Sequence, residues 1–113
     1  MAEPYLTRIN ELIGRLALEV DVAAAVSSRH FFSGAAAYID GKIFMTLTPV
    51  GLALKLPQAD CSSLIADGAK PLQFFAKAPI KKNYVVLSKA QISNRDKCTR
   101  WVLASIAFVR NET

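Results

Sequence analysis

Asp40-Gly41 constrains what this chain can fold into more than any other pair of its residues. A two-residue connection between antiparallel strands needs positive φ at its centre, and Asp followed by Gly adopts it at little cost. The residues after it alternate as a strand does. Ile43, Met45 and Leu47 point one way and Lys42, Thr46 and Thr48 the other, with Phe44 the one apolar residue out of phase. A second turn follows at Thr48-Pro49-Val50-Gly51, where Pro is preset for the second turn position and Gly suits the fourth. Leu52, Leu54 and Leu56 then share a face. Residues 31–55 therefore read as three consecutive antiparallel strands, onto which the rest of the chain packs.

Before this block, residues 4–20 carry Tyr5, Ile9, Leu12, Ile13, Leu16 and Val20 at three- and four-residue spacing, the stripe of an amphipathic helix. Glu11, Arg15 and Glu19 fall on its wet face. Residues 21–28 are divided between helix, favoured by three consecutive alanines, and entry into a strand. After the block, Pro57 opens a short helix with Cys61, Leu64 and Ile65 inward, and Gly68 is placed to end it. Leu72, Phe74 and Ala76 alternate with Gln73, Phe75 and Lys77, and Tyr84-Val85-Val86-Leu87 follows a basic connection, which reads as a second hairpin. Ser88 with Gln91 can cap a short turn, and Ser93 with Asp96 repeats that pattern before a last helix. The stripe of that helix is Cys98, Trp101, Val102, Ser105 and Val109, widened by Ile106. The order is helix, three strands, helix, two strands, helix. We expect an α+β fold: one mainly antiparallel five-stranded sheet with helices packed on one face, the other face partly wet or used for association.

A chain of 113 residues, 52% hydrophobic and 20% charged, is long enough to bury one core without disulfides or metal and is not a disordered chain. It reads as a single domain over residues 1–113. Glu3 stands where a secretory signal would be basic, and no apolar run approaches the roughly 18 residues of a membrane span, so we expect a cytoplasmic protein without membrane contact. Cys61 and Cys98 read as buried thiols rather than as a staple. The net charge of +5 is unevenly spread: residues 1–68 hold five basic and seven acidic side chains, residues 69–113 nine basic and two acidic. This bias permits contact with nucleic acid or an acidic partner, and also simply keeps a small domain in solution.

Catalytic constellations are hard to build from these residues. His30 is the lone histidine, and a metal site would need it to converge with Cys61 and Cys98 from three separate elements. Ser33-Gly34 lacks the flanking glycine of a nucleophile elbow, and the five glycines, at 14, 34, 41, 51 and 68, form no phosphate-cradling loop. No catalytic residue, cofactor or metal is expected. Arg29, Tyr38, Asp40, Lys55 and Tyr84 are the polar residues able to converge on the face away from the helices as a candidate binding surface. Against this, Asp40 serves equally as a turn residue and Lys55 as protection for a strand end. Lys77, Lys81, Lys82 and Lys89 form a candidate basic patch beside Phe74, Phe75 and Tyr84, a mixture of cations and aromatics that single-strand binders use and that exposed hairpin tips also carry.

Arg29, His30, Phe31, Phe32, Gly34, Tyr38, Asp40, Gly41, Lys42 and Phe44 together resemble the signature of the TfoX N-terminal domain family of competence regulators. The likeness continues through Leu52-Ala53-Leu54-Lys55, through Gly68-Ala69-Lys70-Pro71-Leu72-Gln73-Phe74, and to Tyr84 and Trp101, and so spans residues 5–108. Ser33, Ala36 and Ser88 depart from it, the first two where the family has glycine and the third where it has proline. The resemblance implies a fold related to secretion-chaperone-like folds, in the same element order, and a link to regulation of DNA transformation. It implies no particular chemistry. Full-length regulators of this kind carry a further helical domain, and the chain reads as a stand-alone copy of the first.

Three functional readings follow. The leading one is a non-enzymatic regulatory or interaction module with a protein partner, whose contact with nucleic acid would be weak and non-specific. The second is a small-ligand binder or enzyme using Arg29, Tyr38 and Lys55, to be recognised by a deep pocket there. The third is a homodimeric adaptor, to be recognised by a large apolar patch on the sheet face.

Overall fold

The computed structural model describes residues 3–16, 18–31, 34–73 and 79–111. Helices α1 (Glu3–Arg15) and α2 (Val20–Ala25) lead into four strands, β1 (Val26–Phe31), β2 (Gly34–Ile39), β3 (Lys42–Thr48) and β4 (Gly51–Lys55). Helix α3 (Gln58–Ala66), strands β5 (Lys70–Pro71) and β6 (Tyr84–Val86), and helices α4 (Lys89–Ser93) and α5 (Arg95–Arg110) complete the chain. The fold is α+β, with an antiparallel sheet in the order β1-β2-β3-β4-β6-β5.

The sheet has six strands, not the expected five. The additional one is β1, whose six residues pair along β2 from Val26↔Ile39 to Phe31↔Gly34. Its sequence, Val-Ser-Ser-Arg-His-Phe, is mostly polar because it lies at an edge, so alternation did not announce it. Strand β5 at the far edge is also displaced from expectation: Lys70 and Pro71 pair with Val86 and Val85, whereas Leu72 and Gln73 lie outside any strand. The remainder of that expected strand, Phe74, Phe75, Ala76 and Lys77, lies outside the described residues.

At the β2–β3 turn, Asp40 and Gly41 have φ of 51° and 80°, the paired positive values a two-residue hairpin demands. Two residues further on, the register with β2 shifts: Ala37 pairs with Met45 but Tyr38 with Ile43, leaving Phe44 as an extra residue, a β-bulge. The bulge accounts for the broken alternation in the sequence. Met45 and Phe44 both enter the core, Ile43 turns to the opposite face beside Tyr38, and Lys42 comes beneath the end of α5, where its Nζ donates to the Val109 carbonyl at 3.3 Å. A cation at a helix C-terminus meets the negative end of the helix dipole and one of the carbonyls of its last turn. The fully buried Ser105 hydroxyl lies 2.9 Å from the Phe44 carbonyl and 2.7 Å from that of Lys55, donating to the backbone where the ladder is interrupted.

One cluster holds Ile9, Leu12 and Leu16 of the α1 segment, Cys61 and Leu64 of α3, Cys98, Val102, Ile106 and Val109 of α5, and the inward residues of β2, β3, β4 and β6. The helices thus cover one face of the sheet, as the apolar stripes require. The expected first helix is shorter than its stripe. It ends at Arg15, next to Gly14, and Val20 begins α2 with 82% of its surface exposed. In α3, Cys61 and Leu64 face the core but Ile65 is exposed. Gly68 closes α3 with φ of 115°, its N–H and that of Ala69 reaching back to Ile65 O and Leu64 O, the paired bonds of a Schellman end. Ser88 and Gln91 form the expected capping box on α4. The cap of α5 is Asn94, not Ser93: its Oδ1 accepts from the Lys97 N–H at 3.1 Å. Trp101 flanks the stripe of α5 and is half-buried.

On the opposite face, Ala53, Leu72 and Val86 form a small second cluster against which Tyr84 packs.

Candidate functional site

The bulge and the strand pairings determine where the polar candidates meet. With Val26 and Ser28 turned towards the helices, Arg29 stands on the opposite face, and its guanidinium carbon lies 4.5 Å from the centroid of the Tyr38 ring. That is a cation–π contact between neighbouring strands, with Arg29 exposed and Tyr38 half-buried. Lys55 and Tyr84 are direct cross-strand partners on the same face, since Leu54 and Leu56 point to the core and Tyr84 packs on the second cluster. Two pairs therefore form, not one cluster of four. With strands about 4.8 Å apart, Tyr38 on β2 and Lys55 on β4 are about 10 Å from one another, and Ile43 occupies the position between them. Asp40 belongs to neither pair. It holds the hairpin turn, and its Oδ2 accepts from Arg110 Nε at 2.8 Å, tying the end of α5 to the β2–β3 hairpin. Both partners are substantially exposed, so this bridge is worth at most about 1 kcal/mol.

The basic candidates divide as well. Lys81 and Lys82 are exposed just before β6, where the Lys81 N–H donates to Leu72 O at 2.9 Å, while Lys89 is exposed beyond the other end of β6, at the start of α4. Six residues of mostly extended chain separate Lys82 from Lys89, a span of up to about 23 Å. Lys77 lies outside the described residues.

Backbone geometry adds a feature that side-chain reasoning does not reach. In a two-residue hairpin the residues flanking the turn exchange their hydrogen bonds, so Ile39 directs its N–H and C=O to Lys42, and Tyr38 and Ala36, alternating with it, direct theirs to Ser27 and Arg29 of β1. Ser28 consequently turns its backbone polar groups outward along the edge of the sheet, whereas the Val26 N–H before it donates back to Ala23 O at the end of α2. No strand pairs with that side of β1 among the described residues. The opposite edge is only two residues long and contains Pro71, which has no N–H to offer.

On the helix face, a cleft of about 400 Å³ opens between α1 and α4. Leu47 and Leu52, cross-strand partners at the β3–β4 turn, form its floor, and Leu12 and Ile92 its walls. Arg8, Glu11 and Arg15 line its rim. None of the five expected surface residues borders it. The sequence placed Glu11 and Arg15 on the wet side of a helix, and the cleft arises because α1 and the α4–α5 pair leave a gap over β3 and β4, a packing property with no sequence signal.

Both cysteines are free and buried, and burial pushes both thiols above their ordinary range, reinforced by Asp60 at Cys61 and opposed by Arg15 at Cys98. Among the described residues, no three His, Cys, Asp or Glu side chains come close enough to hold a metal ion. Nor is any helix among them long and apolar enough to cross a membrane.

Compared with known proteins, the chain matches the model of the TfoX N-terminal domain over residues 19–109, most of its length. No curated protein matches it.

Proposed function

We propose that this chain, which belongs to the TfoX N-terminal domain family, is a non-enzymatic cytoplasmic interaction module of the competence-regulator type, and that it takes a protein partner along the β1 edge. The observation that carries this reading is the asymmetry of the sheet: one edge is short and blocked by Pro71, the other is a six-residue strand whose outer side no strand pairs with among the described residues. An extended segment of a partner can add a strand there, gaining main-chain hydrogen bonds along the edge. The exposed Arg29, stacked on Tyr38 beside the same edge, favours a segment carrying an acidic residue.

A photo-crosslinking residue at Ser27 in living cells tests this reading, with the same residue at Ala107 on the outer side of α5 as control, both positions being exposed. A defined protein adduct is expected at Ser27 and not at Ala107, and Arg29→Glu should reduce it by about tenfold through charge reversal. Equal labelling at both positions would refute edge docking. The two other readings have less support. The cleft lies on the face away from Arg29, Tyr38 and Lys55, and the exposed large apolar residues, Val20, Val50, Ile65, Ile80 and Leu103, are spread over separate elements and form no patch on the sheet face among the described residues.

A further inference from the structure

We propose that the cleft between α1 and α4 is a binding site for a small organic monoanion, a carboxylate with an apolar body. It lies on the face of the sheet that the helices cover, and it does not depend on the β1 edge.

Volume, lining and charge all point the same way. At about 400 Å³ the cleft falls within the range of small-molecule sites, and it is too small for a folded partner. Leu47 and Leu52 as floor, with Leu12 and Ile92 as walls, offer four aliphatic side chains and no hydrogen-bonding group, so the deep part of a ligand must be hydrocarbon. Leu47 and Ile92 are only half-buried, which leaves apolar surface for such a body to cover. Polar groups appear only at the rim, and all three come from one helix. Arg8, Glu11 and Arg15 are spaced by three and four residues, so they stand one above another along a single side of α1.

The rim sums to one positive charge, which complements a monoanion. Arg8 leans back over Tyr5, its guanidinium carbon 5.6 Å from the ring centroid, whereas Arg15 and Glu11 make no ion pair among the described residues. Arg15 is exposed and lines the mouth of the cleft. An unpaired guanidinium at the mouth of an apolar cleft offers planar, forked donors that match a carboxylate. Glu11, between the two arginines, opposes the second negative charge of a phosphate monoester.

Octanoate is the probe, titrated into the intact protein and followed by side-chain methyl NMR, with octanol, octylammonium, octyl phosphate and acetate as comparisons. Saturable shifts are expected for octanoate at Leu12, Leu47, Leu52 and Ile92, with each comparison compound binding about tenfold more weakly or worse. Arg15→Gln and Glu11→Gln both change exposed side chains, so the fold should survive, and they should move affinity in opposite directions. Arg15→Gln should weaken octanoate by about tenfold and Glu11→Gln should tighten it by about threefold. Octanol binding as tightly as octanoate would overturn the proposal, as would methyl shifts centred elsewhere, no saturation, or the two variants shifting affinity in the same direction. Octyl phosphate binding more tightly than octanoate would overturn the preference for a monoanion.

Discussion

Cys61 and Cys98 show what a single buried residue contributes to the pH dependence of the whole. Burial disfavours the thiolate, so the folded chain keeps both thiol protons to higher pH than the unfolded chain, whose thiols titrate near the ordinary value of 9.0. The associated stability is therefore fully present below that value and is lost as pH rises through it, because the unfolded state then releases protons that the folded state retains. The urea midpoint should fall between about pH 8 and about pH 10, and it should fall less steeply in Cys98→Ala. The comparison is one of slopes, since the cavity left by alanine shifts the whole curve. Parallel slopes would mean that the Cys98 thiol is not protected by the fold. The sequence made both residues buried thiols, for they stand on helical apolar faces. It gave no hint that Arg15 of a different helix acts on one of them.

At the level of elements, the join between α5 and β3 depends on Ser105, which stands in an otherwise apolar stripe and offers its hydroxyl to two carbonyls on adjacent strands. Ser105→Ala keeps the packing almost unchanged and removes the donor from buried backbone, so it should cost about 1 to 3 kcal/mol in urea unfolding. A loss below about 0.5 kcal/mol would show that the interrupted ladder finds another partner. The elements legible in the sequence were those with their own local logic: the Asp40-Gly41 turn, the amphipathic stripes of α1 and α5, the Ser88–Gln91 box and the glycine end of α3. Those misread lacked it. β1 is a polar edge strand, β5 is two residues set by pairing with β6, and α1 stops where the chain must bend although the apolar spacing continues to Val20. Phe44 was visible as an anomaly, but only the pairing with β2 turned it into a bulge.

For the whole molecule, the candidate surface was half legible. Sequence reasoning named Arg29, Tyr38, Asp40, Lys55 and Tyr84 as able to converge on one face; it could not say that Asp40 is held at the turn or that Ile43 stands between two pairs, because the latter follows from the bulge. The cleft was invisible, since a gap between helices is a remainder of packing and belongs to no residue pattern. The charge imbalance between the two halves of the chain also acts at this scale. If Lys81 and Lys82 contact phosphates, duplex DNA binding should weaken linearly in log-log plots against salt, and Lys81→Ala with Lys82→Ala should lower the slope by about two units for every sequence alike. Tight binding to one sequence, indifferent to both changes, would locate the contact elsewhere. The break in β3 has a consequence for how this molecule can be compared or rebuilt. A strand assigns its side chains by parity, odd to one side and even to the other, and β3 skips a count at Phe44. Lys42 and Met45 thereby serve the same layer although their numbers differ in parity. An alignment or graft that matches this strand by hydrophobic alternation alone falls out of step there. Deleting that one residue would restore plain alternation, with Lys42 and Met45 still on the same layer, and would take only the Phe44 side chain out of the core.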